Sequence, residues 1–173
     1  MCYIAVDIGV KHFAYCVIND NEIDFNKLLS FGCVELSKNN NDIINDLIEF
    51  IEERHSLLFT LIIEQQVINN VKAMIIQNIL MTICKLKNIN YVLFNPKLKF
   101  NYIEGEKIKL SYKQRKNKSI DYARIYLNKF YPSLLLEFEK FDKKDDVADA
   151  VVMAVMYKLN MDKNKIKDVF TSI

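Results

Sequence analysis

The chain has 173 residues, of which 51% are hydrophobic and 27% are charged, a composition that excludes a disordered protein and suits one globular domain over residues 1–173. The formal net charge of +2 is too small to indicate a polyanionic partner, so such a partner must be argued from local clusters of basic residues. The four cysteines lack metal-ligand spacing, no apolar run is long enough to span a membrane, and no signal-peptide pattern opens the chain, so an intracellular, reducing compartment is expected.

The first predicted element is a pair of strands. Residues 3–8 and 12–18 are mostly β-branched, aromatic or small, and they flank a tight turn at Gly9. One acid, Asp7, lies in the first strand. A buried carboxylate is unfavourable unless it is paired, hydrogen-bonded or bound to a metal, whereas an Asp at a strand end can also cap the turn through its own backbone. From residues 3–18 alone, a paired or metal-bound Asp7 and an Asp7 that caps the turn are equally well supported.

The next elements extend a sheet. A third strand within residues 23–36 completes an antiparallel meander, and the polar residues 39–42 predict the start of a helix that ends near residues 54–55. The apolar run 57–63 predicts a strand covered on both faces, with Glu64 at its end. A helix follows from about Asn69 to Lys87, with an apolar stripe predicted at Val71, Met74, Ile75, Ile79, Ile83 and Leu86, widened by Met81 and Cys84.

The last third of the chain is predicted to be mostly helical. Residues 91–94 form a fifth strand that Pro96 closes, residues 97–118 are basic and irregular, and a helix covers residues 112–131. After an apolar patch at residues 134–136, the last helix runs from about Lys143 to Leu159. The predicted fold is therefore of the α/β class, with a mixed five-stranded sheet made of a three-strand antiparallel meander and two parallel strands, and with helices on both faces.

Four acids along the chain can be explained together as parts of one site. If the first and fourth strands are parallel neighbours, Asp7 and Glu64 emerge at the same carboxyl edge of the sheet. Asp146 and Asp149 project from one face of the last helix, although that pair alone favours an ordinary solvated helix start. Four converging carboxylates repel one another unless cations neutralise them, and a ligand set without His or Cys suits Mg²⁺ or Mn²⁺. Two such ions about 3.5–4 Å apart support phosphodiester hydrolysis.

Three motifs carry a family resemblance. They are Asp7-Ile8-Gly9-Val10-Lys11, Ile62-Ile63-Glu64-Gln65-Gln66 and Asp145-Asp146-Val147-Ala148-Asp149-Ala150. In this order and spacing the sequence resembles the RuvC-like Holliday junction resolvases of the RNase H-like superfamily, most closely the poxvirus and fungal mitochondrial branch. The resemblance implies a single RNase H-like nuclease domain in which Asp7, Glu64, Asp146 and Asp149 are catalytic and bind two Mg²⁺ ions, with Mn²⁺ as a substitute.

The resemblance also implies a biological role. Members of this family are homodimers that cut branched DNA, namely four-way junctions, by paired symmetric nicks. The expected role is therefore in DNA recombination, DNA repair and the resolution of replication concatemers. A poxvirus-like source would place the protein in the host cytoplasm, without a membrane partner.

Basic residues are expected to contact the DNA. In the family a basic residue between the Glu and the last two Asp assists phosphate binding or catalysis, and Lys116 is the favoured candidate, followed by Lys118. Phosphate contacts are predicted for Lys11, Lys113, Arg115, Lys116 and Lys118. A solvated helix face is the alternative interpretation of this charge run. The predicted helix over residues 69–87 is a candidate dimer surface, and a fully buried core helix is an equal alternative.

Three other functions remain to be distinguished. An RNase H-type nuclease that cuts RNA in RNA–DNA hybrids would keep the fold and the metal ions. An ATPase of the actin-like class is disfavoured, because one short domain cannot enclose a nucleotide between two lobes and no Gly-rich phosphate loop is present. A non-catalytic DNA-binding module is disfavoured by the four acids.

Overall fold

The computed structural model describes residues 2–19, 28–54, 58–104, 110–159 and 161–170. In chain order the elements in these ranges are β1 (Cys2–Ile8), β2 (His12–Asn19), β3 (Leu28–Glu35), α1 (Asn40–Glu52), β4 (Phe59–Glu64), α2 (Val71–Leu86), β5 (Asn90–Phe94), α3 (Leu98–Glu104), α4 (Tyr112–Phe130), α5 (Pro132–Phe138), α6 (Lys144–Lys158) and α7 (Lys163–Phe170). None of the described helices is both long and apolar enough to cross a membrane.

The five strands form one mixed sheet in the order β3-β2-β1-β4-β5. β2 is antiparallel to both β1 and β3, while β4 is parallel to β1 and β5 is parallel to β4. The turn between β1 and β2 is closed by a backbone hydrogen bond from Gly9 to the His12 carbonyl, and a Cβ atom at Gly9 would overlap that carbonyl oxygen. The predicted meander with two parallel strands is confirmed.

Alternation along the strands divides the core between two faces of the sheet. Ile4 and Val6 of β1 pack with side chains of α1 and α2 on one face, whereas Ala5 packs with α4 and α6 on the other. Asp7 shares the parity of Ala5, and Glu64 shares that of Ile62 on the same face. The sheet thus directs both acids toward the face that α6 covers.

Side-chain caps start helices α1, α2 and α4 close to where the sequence predicts them. The Asn39 side chain accepts a hydrogen bond from the Asn41 backbone N–H at the start of α1, and Asn70 accepts one from Ala73 at the start of α2. Ser111 and Gln114 form a reciprocal capping box at the start of α4. These side chains satisfy backbone N–H groups that have no partner within the helix.

The face that α2 buries differs from the predicted stripe. The buried residues are Ala73, Ile76, Gln77, Leu80, Ile83 and Cys84. Of the six predicted positions only Ile83 is among them, and Val71, Ile75 and Leu86 are 63%, 45% and 78% exposed. Because α2 carries apolar residues around most of its circumference, its apolar pattern alone does not identify the buried face, and the predicted stripe is mostly exposed or half-buried.

Three short helices were not predicted. α3 lies within the stretch expected to be irregular, α5 includes the apolar patch at residues 134–136, and α7 follows the last predicted element. α1 ends at Glu52 rather than near residues 54–55. The first part of the predicted third strand, before Leu28, lies outside the described residues.

Candidate active site

The four predicted acids meet at one edge of the sheet. Asp7 lies near the end of β1 and Glu64 ends β4, and these strands are parallel neighbours, so both acids lie at the same carboxyl edge. Asp146 and Asp149 lie in the first turns of α6, which packs against β1 and β2. Asp7 and Asp149 are each only 6% exposed. The interpretation of Asp146 and Asp149 as a solvated helix start is therefore wrong for Asp149.

Lys116 lies at the centre of the acids. Its Nζ atom is 2.8 Å from Asp146 Oδ1, 2.9 Å from Asp149 Oδ2, 3.5 Å from Asp145 Oδ2 and 3.6 Å from Asp7 Oδ2. The capped start of α4 brings this lysine over the first turn of α6. One ammonium group thus joins acids from β1 and α6, and it belongs to Lys116, the residue that the sequence favoured as the basic residue assisting phosphate binding or catalysis.

A second lysine, Lys99, was not singled out from the sequence. It lies in α3, is 3% exposed, and donates hydrogen bonds to Glu64 Oε1 at 3.0 Å and Asp149 Oδ1 at 2.7 Å. Ser119 of α4 donates a further hydrogen bond of 2.6 Å to Asp149 Oδ1. Helical spacing of Phe100 and Ile103, both buried, is the signal that could have revealed α3 and the orientation of its lysine.

The electrostatic environment shifts the pKa values of Asp149 and Asp7 in opposite directions. Burial alone would raise the pKa of Asp149, but Lys99 and Lys116 outweigh burial and hold that pKa at about 2. Burial raises the pKa of Asp7 well above its usual range, and the neighbouring carboxylates of Glu64 and Asp149 raise it further. Asp149 is therefore a compensated carboxylate, whereas Asp7 lacks enough nearby positive charge.

The pKa values of Lys99 and Lys116 are both raised by the neighbouring carboxylates. Burial would lower the pKa of both ammonium groups, but the surrounding carboxylates, Asp149 first, raise the pKa of Lys99 and Lys116 above the usual range. Both lysines therefore stay charged at every pH at which the protein would normally be studied.

The acidic cluster has the donor atoms of a site for divalent metal ions. Within the described ranges, no three His, Cys, Asp or Glu side chains are arranged as ligands of a common ion, and the carboxylates contact the two ammonium groups instead. The donor chemistry nevertheless fits hard divalent cations, because all the acids supply carboxylate oxygens. Five carboxylates face two lysines, and burial together with the neighbouring carboxylates raises the pKa of Asp7, so an added cation would relieve an excess of negative charge.

The other predicted DNA contacts lie outside this cluster. Lys113 and Arg115 are exposed near the start of α4, and the guanidinium of Arg115 donates to the Leu110 carbonyl at 3.1 Å. Lys118 lies with its Nζ atom 6.0 Å from the centre of the Tyr122 ring. Lys11 is exposed in the turn after β1. The structure thus brings Lys116, and not Lys118, among the acids.

Comparisons with known proteins agree with this architecture. Residues 1–161 match the family described as Poxvirus A22 protein. A fowlpox virus resolvase, solved in a complex with substrate Holliday junction DNA, is 22% identical, with 93% of this chain and 99% of that chain covered and a TM-score of 0.74. The search of curated protein sequences found no match.

More distant structures share the fold. RuvC of Thermus thermophilus is 14% identical over 93% of this chain and 96% of its own, with a TM-score of 0.64. The yeast mitochondrial Holliday junction resolvase Ydc2 is 18% identical over 96% of this chain and 83% of its own, with a TM-score of 0.55. At these identities the likeness establishes the RNase H-like fold of the resolvases. Since the family match covers nearly the whole sequence, the chain belongs to the poxvirus A22 protein family.

Proposed function

We propose that this chain is a metal-dependent endonuclease that resolves four-way (Holliday) DNA junctions. The observation that carries the proposal is the convergence of Asp7, Glu64, Asp146 and Asp149 at the carboxyl edge of the sheet, in a member of the A22 family. The fold is similar to that of structures solved with Holliday junction DNA, which supports the same substrate here. The active unit would be a single domain over residues 1–173.

Each acid and lysine has a proposed task. Asp7, Glu64, Asp146 and Asp149 would hold two Mg²⁺ ions, with Mn²⁺ as a substitute, and bound ions of this kind activate a water and stabilise the leaving oxygen of a phosphodiester. Burial of Asp7 and Asp149 strengthens every charge interaction at the site, because the surroundings screen less than water does.

The lysines position these groups. Lys99 holds Glu64 and Asp149 together across two elements, so that acids from β4 and α6 keep a fixed separation. The side chain of Lys116 is 17% exposed, against 4% for Lys99, so Lys116 is the more accessible of the two lysines. It is therefore suited to pair with a phosphate oxygen of the bound strand, and Lys11, Lys113, Arg115 and Lys118 would add phosphate contacts around it.

Paired symmetric nicks require two sites related by a two-fold axis, so we propose a homodimer. We propose the C-terminal end of α2, where the apolar side chain of Leu86 is 78% exposed, as the dimer surface. The biological role would be in recombination, repair and the resolution of replication concatemers, in the host cytoplasm.

Cleavage assays test the proposal directly. Labelled four-way junctions, linear duplex and RNA–DNA hybrid would be incubated with and without Mg²⁺. We expect paired symmetric nicks in the junction only, and only with the metal. Cutting of the hybrid without cutting of the junction would instead identify an RNase H-type nuclease, and junction binding without any cutting would identify a non-catalytic module.

Substitutions test the assignment of the acids. Asp7→Asn, Glu64→Gln, Asp146→Asn and Asp149→Asn should each abolish cutting while junction binding survives. Asp168→Asn, an exposed position on α7, is the matched control and should cut normally. Full cleavage by any of the four variants would remove that acid from the metal site.

A further inference from the structure

A second feature at the same edge of the sheet is a cleft of about 300 Å³ on the α1 and α2 side. Lysines Lys11, Lys38 and Lys72 line it together with an aliphatic floor that includes Ile43, Ile75 and Ile79. Of the described residues that line the cleft, none is acidic. It is thus a basic rim around an apolar surface.

The strand directions place this cleft beside the acidic cluster. β1 and β3 run the same way, since β2 is antiparallel to both, and β4 is parallel to β1, so all three end at one edge. Lys11 follows β1, Lys38 follows β3, and Lys72 lies in the first turn of the helix that follows β4. The acids lie at this edge on the α4 and α6 side, and the cleft lies at it on the α1 and α2 side.

The three lysines carry charge that the fold itself does not use. All three are exposed, and none forms an ion pair with a described residue. Lys72 lies in the first turn of α2 and Lys38 directly precedes the Asn39 cap of α1, where the helix macrodipole disfavours a cation. These charges therefore oppose local stability slightly, which is understandable if an anionic ligand binds there.

We propose that this cleft binds an unpaired stretch of the DNA substrate, an inference that rests on the proposed function. The phosphates would contact Lys11, Lys38 and Lys72, and a base and sugar would pack on the aliphatic floor. A duplex presents its phosphates outward and encloses its bases, so it would leave the floor uncovered. An unpaired strand presents a charged backbone and apolar base faces together. The volume lies at the lower end of the range for ligand sites, about 300–1,000 Å³.

The cleft also has the position that such a strand requires. Basic residues near the start of α4 and the rim of the cleft lie on opposite faces of the sheet, with the acids at the edge between them. A strand whose scissile phosphate lies at the acids can therefore continue over the edge toward the cleft. Branched DNA supplies unpaired nucleotides near its branch point more readily than linear duplex does.

Binding measurements without divalent cations test the lysine rim. Single-stranded DNA and a linear duplex of equal length would be titrated against the unchanged protein, Lys72→Gln, Lys38→Gln and Lys85→Gln. Lys85 lies exposed in the last turn of α2, so it controls for the helix, the charge change and the exposure. We expect Lys72→Gln and Lys38→Gln each to weaken single-strand binding and to reduce the slope of log K against log salt by about 0.7, and Lys85→Gln to change neither.

The floor is tested with a fluorescent base. Ile75 is 45% exposed, so Ile75→Ser should leave the fold intact, and Leu136→Ser on α5 is the exposed apolar control. We expect Ile75→Ser alone to weaken single-strand binding and to reduce the fluorescence change of 2-aminopurine, with duplex binding unchanged. Equal losses on duplex, or no difference between Lys72→Gln and Lys85→Gln, would overturn the proposal.

Two further measurements distinguish a DNA site in the cleft from an interface between copies of the chain, and failure of this inference from failure of the proposed function. A change of oligomeric state in Ile75→Ser, measured by sedimentation, would assign the cleft to an interface between copies and overturn the DNA site. Junction cleavage by the unchanged protein with Mg²⁺ is measured in parallel. If the protein cuts junctions and the cleft variants bind single strands normally, only this inference fails, and if it cuts no junction the proposed function fails by itself.

Discussion

Replacement of Lys99 by Met tests how the acidic cluster is held together. The ammonium group is 3% exposed and contacts Glu64 and Asp149 at 3.0 and 2.7 Å, so Lys99→Met leaves two carboxylates without their buried partner. Removal of one member of a buried ion pair typically destabilises a protein by about 3–5 kcal/mol. For a domain of this size that loss corresponds to a Tm lower by about 6–20 °C.

The assay is thermal and urea unfolding at pH 7 in the absence of metal, with the same measurement repeated in Mg²⁺. The pKa of Lys99 is raised in the folded protein, so its stabilisation is fully present below the unfolded pKa of about 10.4 and is lost only at higher pH. The effect at pH 7 is therefore complete. Mg²⁺ should stabilise Lys99→Met more than the unchanged protein, because the variant lacks one positive charge at the site.

Lys87→Met is the matched control. Lys87 pairs with Glu52 at a similar distance, 2.7 Å, but the two side chains are 29% and 57% exposed, so its loss should change stability by less than about 1 kcal/mol. The double variant Lys99→Met with Glu64→Gln should be more stable than Lys99→Met, because Lys99 is the lysine that compensates Glu64 and the uncompensated carboxylate is then gone. Equal effects of Lys99→Met and Lys87→Met would refute the argument that burial makes the Lys99 contacts strong.

Three further predictions concern single residues around the site. The pKa of Asp7 is raised on folding, so its carboxylate lowers the free energy of unfolding once the pH exceeds the unfolded pKa. Asp7→Asn should therefore stabilise the metal-free protein at pH 7 but not at pH 4, as measured by urea unfolding at both pH values. Ser119→Ala removes a buried hydrogen bond to the charged Asp149 and should lower the free energy of unfolding by about 1.5–3 kcal/mol, whereas an unchanged urea midpoint would contradict the contact. Gly9→Ala should displace the turn against the His12 carbonyl and lower both Tm and the cleavage rate, and normal values of both would show that the turn can relax.

The sheet could be predicted because its signals are local. Apolar runs that end in Asp7 and Glu64, a tight turn at Gly9 and polar clusters before the helices determine strand order and direction once crossovers are considered. The parity of Asp7 with Ala5 and of Glu64 with Ile62 then directs both acids to one face. For these residues the pattern in the chain and the packing in the molecule carry the same information.

The contacts of Lys99 could not be predicted in this way. Its partner Asp149 lies 50 positions along the chain, and the spacing of Phe100 and Ile103 can indicate helix α3 but not the partner of its lysine. The buried face of α2 escaped prediction for another reason. Ala73 is buried and the more hydrophobic Ile75 is 45% exposed, because apolar residues lie around most of the α2 circumference and hydrophobicity alone does not single out one face.

Helix α6 carries Asp145, Asp146 and Asp149 in its first turns and continues through the middle of the hydrophobic core, where every residue from 147 to 156 is buried. Amide hydrogens along this segment should therefore exchange with solvent only when the whole molecule unfolds. The acids on α6 would then keep their positions until global unfolding, so that gradual heating would reduce the number of active molecules rather than the activity of each one. Natural variants with a weakened α6 should accordingly be temperature-sensitive in abundance, with normal behaviour below the transition.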